Sequence, residues 1–568
     1  MYPEACPAMR NENTVTVGAV ITAFLEQCDV KAAFGVISIH NMPILDAFAV
    51  RGNIRFVMAR GEAGATNMAD AYARSSGGLG VCLTSTGTAA GNAAGAMVEA
   101  LTAGTPLLHI TGQIETPYLD QELAYIHEAR DQLTMLKAVS KAAFRVRSVE
   151  TALSTLKLAV QTALTAPTGP VSVEIPIDIQ SAFIPMPTDL SPLPIPVAAP
   201  AAEALDLVAE RLASATRPLL WLGGGARHAG AQVKRLLDMG VGVITSTQGR
   251  GVVNEDDERC LGAFSQNKLV EGFMQTCDAL VVAGSRLRSN ETFKYALKLP
   301  RTTLRIDVNP AIEGRSYPSD LFICGDAALA LEGLADRLQG RLNIDPNFLA
   351  ELKAVREQAR KQLVADLGPY AALVEQLQAQ TGRNFTWVRD VTLSNSIWGN
   401  RLLNLYHPLA GVHALGGGIG QGLAMGIGAA VAAAETAPGR KVFALAGDGG
   451  FILNLGELAT LVQEKANVVI LLMNDQRYGV IRNIQDAIYG ARHAYVELHT
   501  PDYSKLAESL GLRHGLVSDL KHFGEVLEGA LGAQGPFLLE VDMLSVGGFA
   551  TQFAGPPNSE TKAQKATA

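Results

Sequence analysis

The sequence predicts an α/β protein of three domains, each built on a mainly parallel sheet flanked by helices. Three observations predict it. Apolar runs of strand length alternate with segments of helical spacing along most of the 568 residues. Several of those runs, such as KVFALA and VVILLM, are apolar at successive positions, the pattern of strands covered on both faces. Two stretches of different character, one rich in proline and one charged and helical, divide the alternating chain into three.

The first domain is expected over residues 1–185. TVGAVITAFLEQC has helical spacing, KAAFGVI is a strand running into a loop, and NIRFVMAR is a second strand. EAGATNMADAYARSSG is a helix with a small-residue face, and LGVCLTSTG, PLLHITGQ and PVSVEIPID are further buried strands. Prolines then recur at positions 185, 187, 192, 194, 196 and 200. Such a stretch neither pairs into a sheet nor continues a helix, so residues 186–200 form a stiff linker. A second α/β domain spans 201–340, with RPLLWLGGGARHAG, VGVITSTQGRG, ALVVAGSRL and TTLRIDVN. Its turn Leu222–Gly230 lacks the acidic partner of a dinucleotide fingerprint and is read as a packing turn before a phosphate cradle. Residues 341–380 are charged and helical, a solvated connecting helix. The third α/β domain covers 381–550, and 551–568 is a polar, disordered tail.

Composition excludes several classes. A net charge of −8 leaves no basic footprint for nucleic acid. No apolar run reaches membrane-spanning length, and MYPEACPAMRNENT lacks the basic-then-apolar order of a signal peptide. Six scattered cysteines without a CxxC are expected to be reduced, mostly core thiols of a cytoplasmic protein.

The chemistry concentrates in Gly447–Tyr478, GDGGFILNLGELATLVQEKANVVILLMNDQRY. Two apolar runs end in Gly447-Asp448-Gly449 and Asn474-Asp475. Neighbouring strands of a βαβ unit end on the same edge, so Asp448 and Asp475 are expected side by side although 27 residues apart. Two carboxylates there, beside glycines that let backbone approach a ligand, suit a hard cation carrying a diphosphate.

This stretch resembles the motif of thiamin-diphosphate-dependent enzymes, and the resemblance covers essentially the whole chain in the order pyrimidine-binding, middle and diphosphate-binding domain. The branches it is similar to are acetohydroxyacid (acetolactate) synthase, benzaldehyde lyase and benzoylformate decarboxylase. The resemblance implies thiamin diphosphate and Mg²⁺ as cofactors. It assigns Asp448, Asp475 and the Arg477 carbonyl to the metal, with Asp475 where an Asn is usual. It assigns Ser394, Asn395, Gly447, Gly449, Tyr478, Gly479 and Val480 to the cofactor, with Gly450 in place of a common Ser. In HALGGGIGQGLAMGIGAA, Gly417 would accept the cofactor's amino group and Ile419 would be the wedge that bends it. Glu62, in VMARGEAGATNMADAYAR, would hold the aminopyrimidine ring and favour the tautomer that serves as base.

The same resemblance bears on the reaction. Thr84 stands where benzoylformate decarboxylase has a histidine. The loop IETPYLDQELAYIHE lacks the His-His pair of pyruvate decarboxylases, which disfavours release of a free aldehyde. Gln113 matches a glutamine of acetohydroxyacid synthases and benzaldehyde lyase. His40 aligns with a benzaldehyde lyase histidine and would shuttle a proton, and Val480 and Ile481 would line the substrate entrance. The turn GSRLRSNETF keeps Arg286 but lacks an acidic pair, so FAD is not expected. The expected enzyme is a carboligase or lyase acting beside a carbonyl of a 2-oxoacid, aldehyde or 2-hydroxy ketone. A 2-oxoacid decarboxylase and a non-catalytic cofactor-binding homologue are the alternatives. A homodimer or homotetramer follows from the family's shared active sites.

Overall fold

The computed structural model describes residues 14–555. They divide into two compact units, one comprising the chain up to Pro196 together with Gly456–Glu464, the other the remainder.

The first unit holds β1 (Thr14–Thr16), β2 (Ala32–Gly35), β3 (Arg55–Met58), β4 (Gly80–Thr84), β5 (Leu107–Gln113), β6 (Ala142–Arg145), β7 (Val171–Pro176) and β8 (Phe183–Pro185). Six of them form a parallel sheet in the order β3-β2-β4-β5-β7-β6, and β1 pairs with β8 antiparallel. β4, β5 and β7 are buried along their whole length, polar members such as His109, Ser172 and Glu174 included, as in a sheet covered on both faces. Helix Glu62–Ser76 packs its small residues against the helix Thr88–Ala103 and buries Arg74 against Asp70 at 2.5 Å and Glu99 at 2.8 Å. Removing one partner of such a buried group leaves an uncompensated charge.

His109 lies in the middle of β5, its Nε2 2.9 Å from Thr84 Oγ1 and its Nδ1 3.1 Å from Ser172 Oγ. Burial pushes its pKa down to about 4. Its unfolded-state value is ~6.5, so the unfolded chain takes up this proton first as pH falls. The contribution is complete above pH ~6.5 and is lost as the pH drops toward 4, amounting to about 3 kcal/mol. Urea midpoints measured across that range should fall, and should fall less steeply in His109→Asn. Equal slopes would remove His109 as the cause.

The second unit holds β9 (Pro218–Leu222), β10 (Gly242–Thr245), β11 (Ala279–Ala283), β12 (Thr302–Asp307) and β13 (Leu321–Cys324), a parallel sheet ordered β10-β9-β11-β12-β13. It also holds β14 (Phe385–Arg389), β15 (Gly411–His413), β16 (Lys441–Gly447), β17 (Val468–Asn474), β18 (Arg513–Val517) and β19 (Phe537–Asp542), a parallel sheet ordered β15-β14-β16-β17-β19-β18. The α/β fold class with three helix-flanked parallel sheets is thus the observed one. In the glycine-rich turn after β9, a Cβ on Gly223 would come within 2.1 Å of the Gly284 carbonyl, so close backbone crossing accounts for that glycine.

One expectation is corrected. Residues 341–380 are not a solvated connecting helix. They contain two helices, Phe348–Asp366 and Ala371–Thr381, whose Phe348, Leu352, Leu373 and Leu377, with Tyr370 between them, are buried in the core of the second unit. Two of their charged residues also turn inward, Arg356 to the Asp257 carbonyl at 2.7 Å and Arg360 to the Leu402 carbonyl at 3.0 Å. Of the expected tail, Thr551 donates its N–H to the Asp366 carbonyl at 3.2 Å and its hydroxyl to Asp366 Oδ1 at 2.8 Å. Residues 556–568, like the first 13, lie outside the described residues.

Candidate active site

The first unit carries Glu62, His40 and Gln113. Glu62 opens its helix just after β3, half-buried, and Asn92 Nδ2 donates to its Oε2 at 3.1 Å. The turn before it is held by a residue the sequence did not flag. Glu457 is buried and receives the N–H of Arg60 at 3.1 Å and of Gly61 at 3.1 Å, and the Thr460 hydroxyl at 2.7 Å. Burial raises its pKa, and the Thr460 hydroxyl and these two backbone donors oppose that rise. A carboxylate accepting N–H bonds at a helix start fixes the direction in which the chain enters the helix.

His40 is buried. Its Nδ1 is 3.4 Å from Ser85 Oγ, and its carbonyl accepts Gln180 Nε2 at 2.7 Å. Burial, then His127, pulls its pKa down while Glu115 opposes, so the ring is neutral near pH 7. The His127 ring stands edge-on at 5.2 Å. A pair of histidines therefore exists in the fold although no pair exists in the loop sequence. Gln113 ends β5 inside a buried polar cluster. Its Oε1 accepts from Thr86 Oγ1 at 3.0 Å and the Ile114 N–H at 2.8 Å, and its Nε2 reaches Glu174 Oε2 at 3.4 Å.

The second unit carries the rest. β16 and β17 pair in parallel with Gly447 opposite Met473, which sets Asp448 beside Asp475 as the strand logic requires. The Asp475 N–H lies 3.5 Å from Asp448 Oδ1. Asp448 Oδ2 is buried without a hydrogen-bond partner. Burial and the Asp448 carboxylate push the Asp475 pKa up to about 8, and burial raises that of Asp448 too. Two carboxylates that resist ionising together, one with an orphaned oxygen, are what a divalent cation relieves. Among the described residues no three His, Cys, Asp or Glu side chains converge, so such an ion would need further oxygens from backbone and from a bound phosphate. Gln476, at φ 54°, reverses the backbone there, and Arg477 Nε donates to the Asp475 carbonyl at 2.8 Å.

Two glycines sit in close quarters. A Cβ on Gly479 would lie 2.6 Å from Asp475 Oδ2, and one on Gly450 would lie 3.1 Å from Asp390 Oδ2 and 3.0 Å from the Gly420 nitrogen. The second contact leaves little room for a side chain at Gly450. Asp390, also unflagged, is fully buried at the end of β14. It accepts the Val391 N–H at 2.7 Å and the Gly420 N–H at 3.0 Å, tying down the loop that carries Gly417 and Ile419. Burial lifts its pKa to about 6 against these backbone donors. Its position after FTWVR resembles that of Asp448, a carboxylate directly after a buried strand.

Gly417 turns at φ 85°, and Ile419 stands 37% exposed beyond it, an apolar side chain presented to solvent on a loop that Asp390 fixes. Ser394 and Asn395 are buried at the start of a five-residue π-turn, Asn395–Gly399, where the wider helical pitch is a frequent mark of functional sites. Asn395 Oδ1 has no partner. Gly449 packs on the Tyr478 ring, and Val480 and Ile481 begin the helix Gly479–Ile488, with Ile481 exposed.

Three family models match the chain in series. They are the N-terminal thiamine pyrophosphate binding domain at residues 15–135, the central domain at 205–334 and the C-terminal thiamine pyrophosphate binding domain at 394–541. The chain belongs to the thiamin-diphosphate-dependent enzymes. Among its relatives, a probable 2-ketoarginine decarboxylase of Pseudomonas aeruginosa is 29% identical over 94% of this chain and 95% of its own length. A probable acetolactate synthase large subunit of Methanocaldococcus jannaschii is 26% identical over 96% of both chains. The acetolactate synthase large subunit of Porphyra purpurea is 27% identical over 88% of this chain and 87% of its own.

Proposed function

We propose that the protein uses thiamin diphosphate and Mg²⁺ to make or break the carbon–carbon bond next to a carbonyl, as a carboligase of the acetolactate synthase type or an acyloin lyase. The observation that carries the cofactor assignment is the Asp448–Asp475 pair with its unpartnered oxygen. Bound thiamin diphosphate supplies an acyl-anion equivalent. Asp448, Asp475 and the Arg477 carbonyl hold the metal, Ser394, Asn395 and the backbone of Gly449 and Gly450 hold the diphosphate, and Glu62 orients the aminopyrimidine. Gln113 fixes a substrate carbonyl, and His40, neutral beside Ser85, takes up or returns the substrate's hydroxyl proton.

A second reading is a 2-oxoacid decarboxylase. The contact of His40 with His127 favours it, because it offers two proton-transferring groups where the loop sequence offers none. Product analysis with a panel of 2-oxoacids and acyloins separates them. Ligated or cleaved 2-hydroxy ketone supports the first, and carbon dioxide with free aldehyde supports the second. For either, His40→Ala is expected to lower kcat ~100-fold while titrated thiamin diphosphate affinity stays unchanged. Unaltered kcat would remove His40 from the reaction.

The proposal takes the three-domain division given above, a homodimer or homotetramer, and a reducing, cytoplasmic setting. Exposed Val98, Ile419 and Leu453 are apolar surface that subunit packing would cover, and the buried Cys82 and Cys260 thiols are pushed up to about 12, out of reach of easy oxidation. No flavin is included. No helix among the described residues is long and apolar enough to cross a membrane.

A further inference from the structure

A cavity of about 210 Å³ in the second unit is lined by Phe264, Gln266, Ile397, Arg401, Phe553 and Asp366, among others. None of these has a part in the function proposed above. Arg401 is half-buried. Its Nη2 donates to Gln266 Oε1 at 2.9 Å, and its Nη1 makes only long contacts to the carbonyls of Ser396 at 3.3 Å and Ile397 at 3.4 Å. No carboxylate is among these partners. Arg250, by contrast, is matched by Glu255 at 2.6 Å. Desolvation, with repulsion from Arg250, brings the Arg401 pKa down to about 10. Because Gln266 Oε1 is committed to Arg401, the amide's orientation is set, and its Nε2 is buried with no acceptor.

A guanidinium whose hydrogen-bond partners are all neutral, beside an amide donor with no acceptor, suits a ligand acceptor that carries negative charge. Phosphate and sulfate suit the site poorly. No second cation lines it, and Asp366 does, with Oδ1 held by Thr551. The apolar part of the wall is Phe264, Leu363, Ile397 and Phe553, and Asn267, Gln362, Ser396 and Gln552 complete the lining.

We propose that this cavity binds a small organic monocarboxylate, with the carboxylate on Arg401 and Gln266 and the apolar body against Phe264, Ile397 and Phe553. The site stands whether or not the catalytic assignment does. Its occupancy acts on two sides of the candidate active site. Ser396 and Ile397 directly follow Ser394 and Asn395, and the Phe553 carbonyl accepts Asn483 Nδ2, from the helix Gly479–Ile488, at 3.1 Å. A bound carboxylate would therefore regulate turnover without touching substrate.

The test is calorimetric titration of the full chain with benzoate, with benzamide as neutral counterpart and sulfate as inorganic anion. Benzoate should bind saturably and at least tenfold more tightly than benzamide or sulfate. Arg401→Gln and Gln266→Leu should each weaken it at least fivefold, with circular dichroism and melting unchanged in at least one of them. In a Phe553→Trp variant benzoate should alter the indole emission over the same concentration range. Absence of saturable binding, equal binding of benzamide or sulfate, or unchanged binding in a well-folded variant each overturns the proposal, the last by placing the carboxylate elsewhere.

Discussion

Asp448→Ala is expected to abolish metal-dependent binding of thiamin diphosphate, with the apparent dissociation constant raised at least ~100-fold. The size follows from the geometry. Asp448 is the buried member of the pair and the one with an oxygen that nothing in the protein satisfies. Alanine removes both oxygens from a site at which, among the described residues, no third carboxylate, histidine or cysteine converges. Asp475→Asn is the matched control. It keeps an oxygen ligand and removes the repulsion that lifts Asp475 toward about 8. Cofactor affinity in that variant should stay within a few-fold of wild type, and the folded protein should be no less stable. Fluorescence titration with thiamin diphosphate at fixed Mg²⁺ reads both. Wild-type affinity in Asp448→Ala would mean that the metal sits elsewhere.

Glu62→Gln is expected to lower kcat by ~10²–10⁴ while thiamin diphosphate affinity changes less than tenfold. The side chain is half-buried with one oxygen engaged by Asn92, and its backbone is set by the Glu457 carboxylate on the two preceding residues. Glutamine keeps the size and the Asn92 contact and loses the charge. The split between an intact binding constant and a collapsed kcat distinguishes an acid–base role from a structural one. Undiminished turnover in a well-folded Glu62→Gln would exclude Glu62 as the group that activates the cofactor.

Much of this was legible in the chain itself. Apolar runs such as KVFALA and VVILLM became buried central strands because a sheet covered on both faces imposes no alternation. The adjacency of Asp448 and Asp475 followed from strand order alone. Contacts between residues far apart in sequence were not legible. Glu457 meets Arg60 across 397 positions, and in its own segment it is one more glutamate at helical spacing. His127 and His40 come from different loops. The helices of 348–381 are dense in charge on one face, and only their packing reveals the buried leucines and aromatics on the other.

The helix Glu457–Gln463 has a consequence for how the gene could be cut. The chain leaves the second unit after Leu455, contributes nine residues to the first, and returns at Lys465. A fragment ending at Pro196 would lack the carboxylate that Arg60 and Gly61 bind and the Glu464 partner of Arg55. The first unit is therefore not a cassette. Swapping it between relatives by a single crossover in the proline-rich linker would separate Glu62 from the acid that sets its turn, whereas a graft carrying residues 456–464 as well would keep them together.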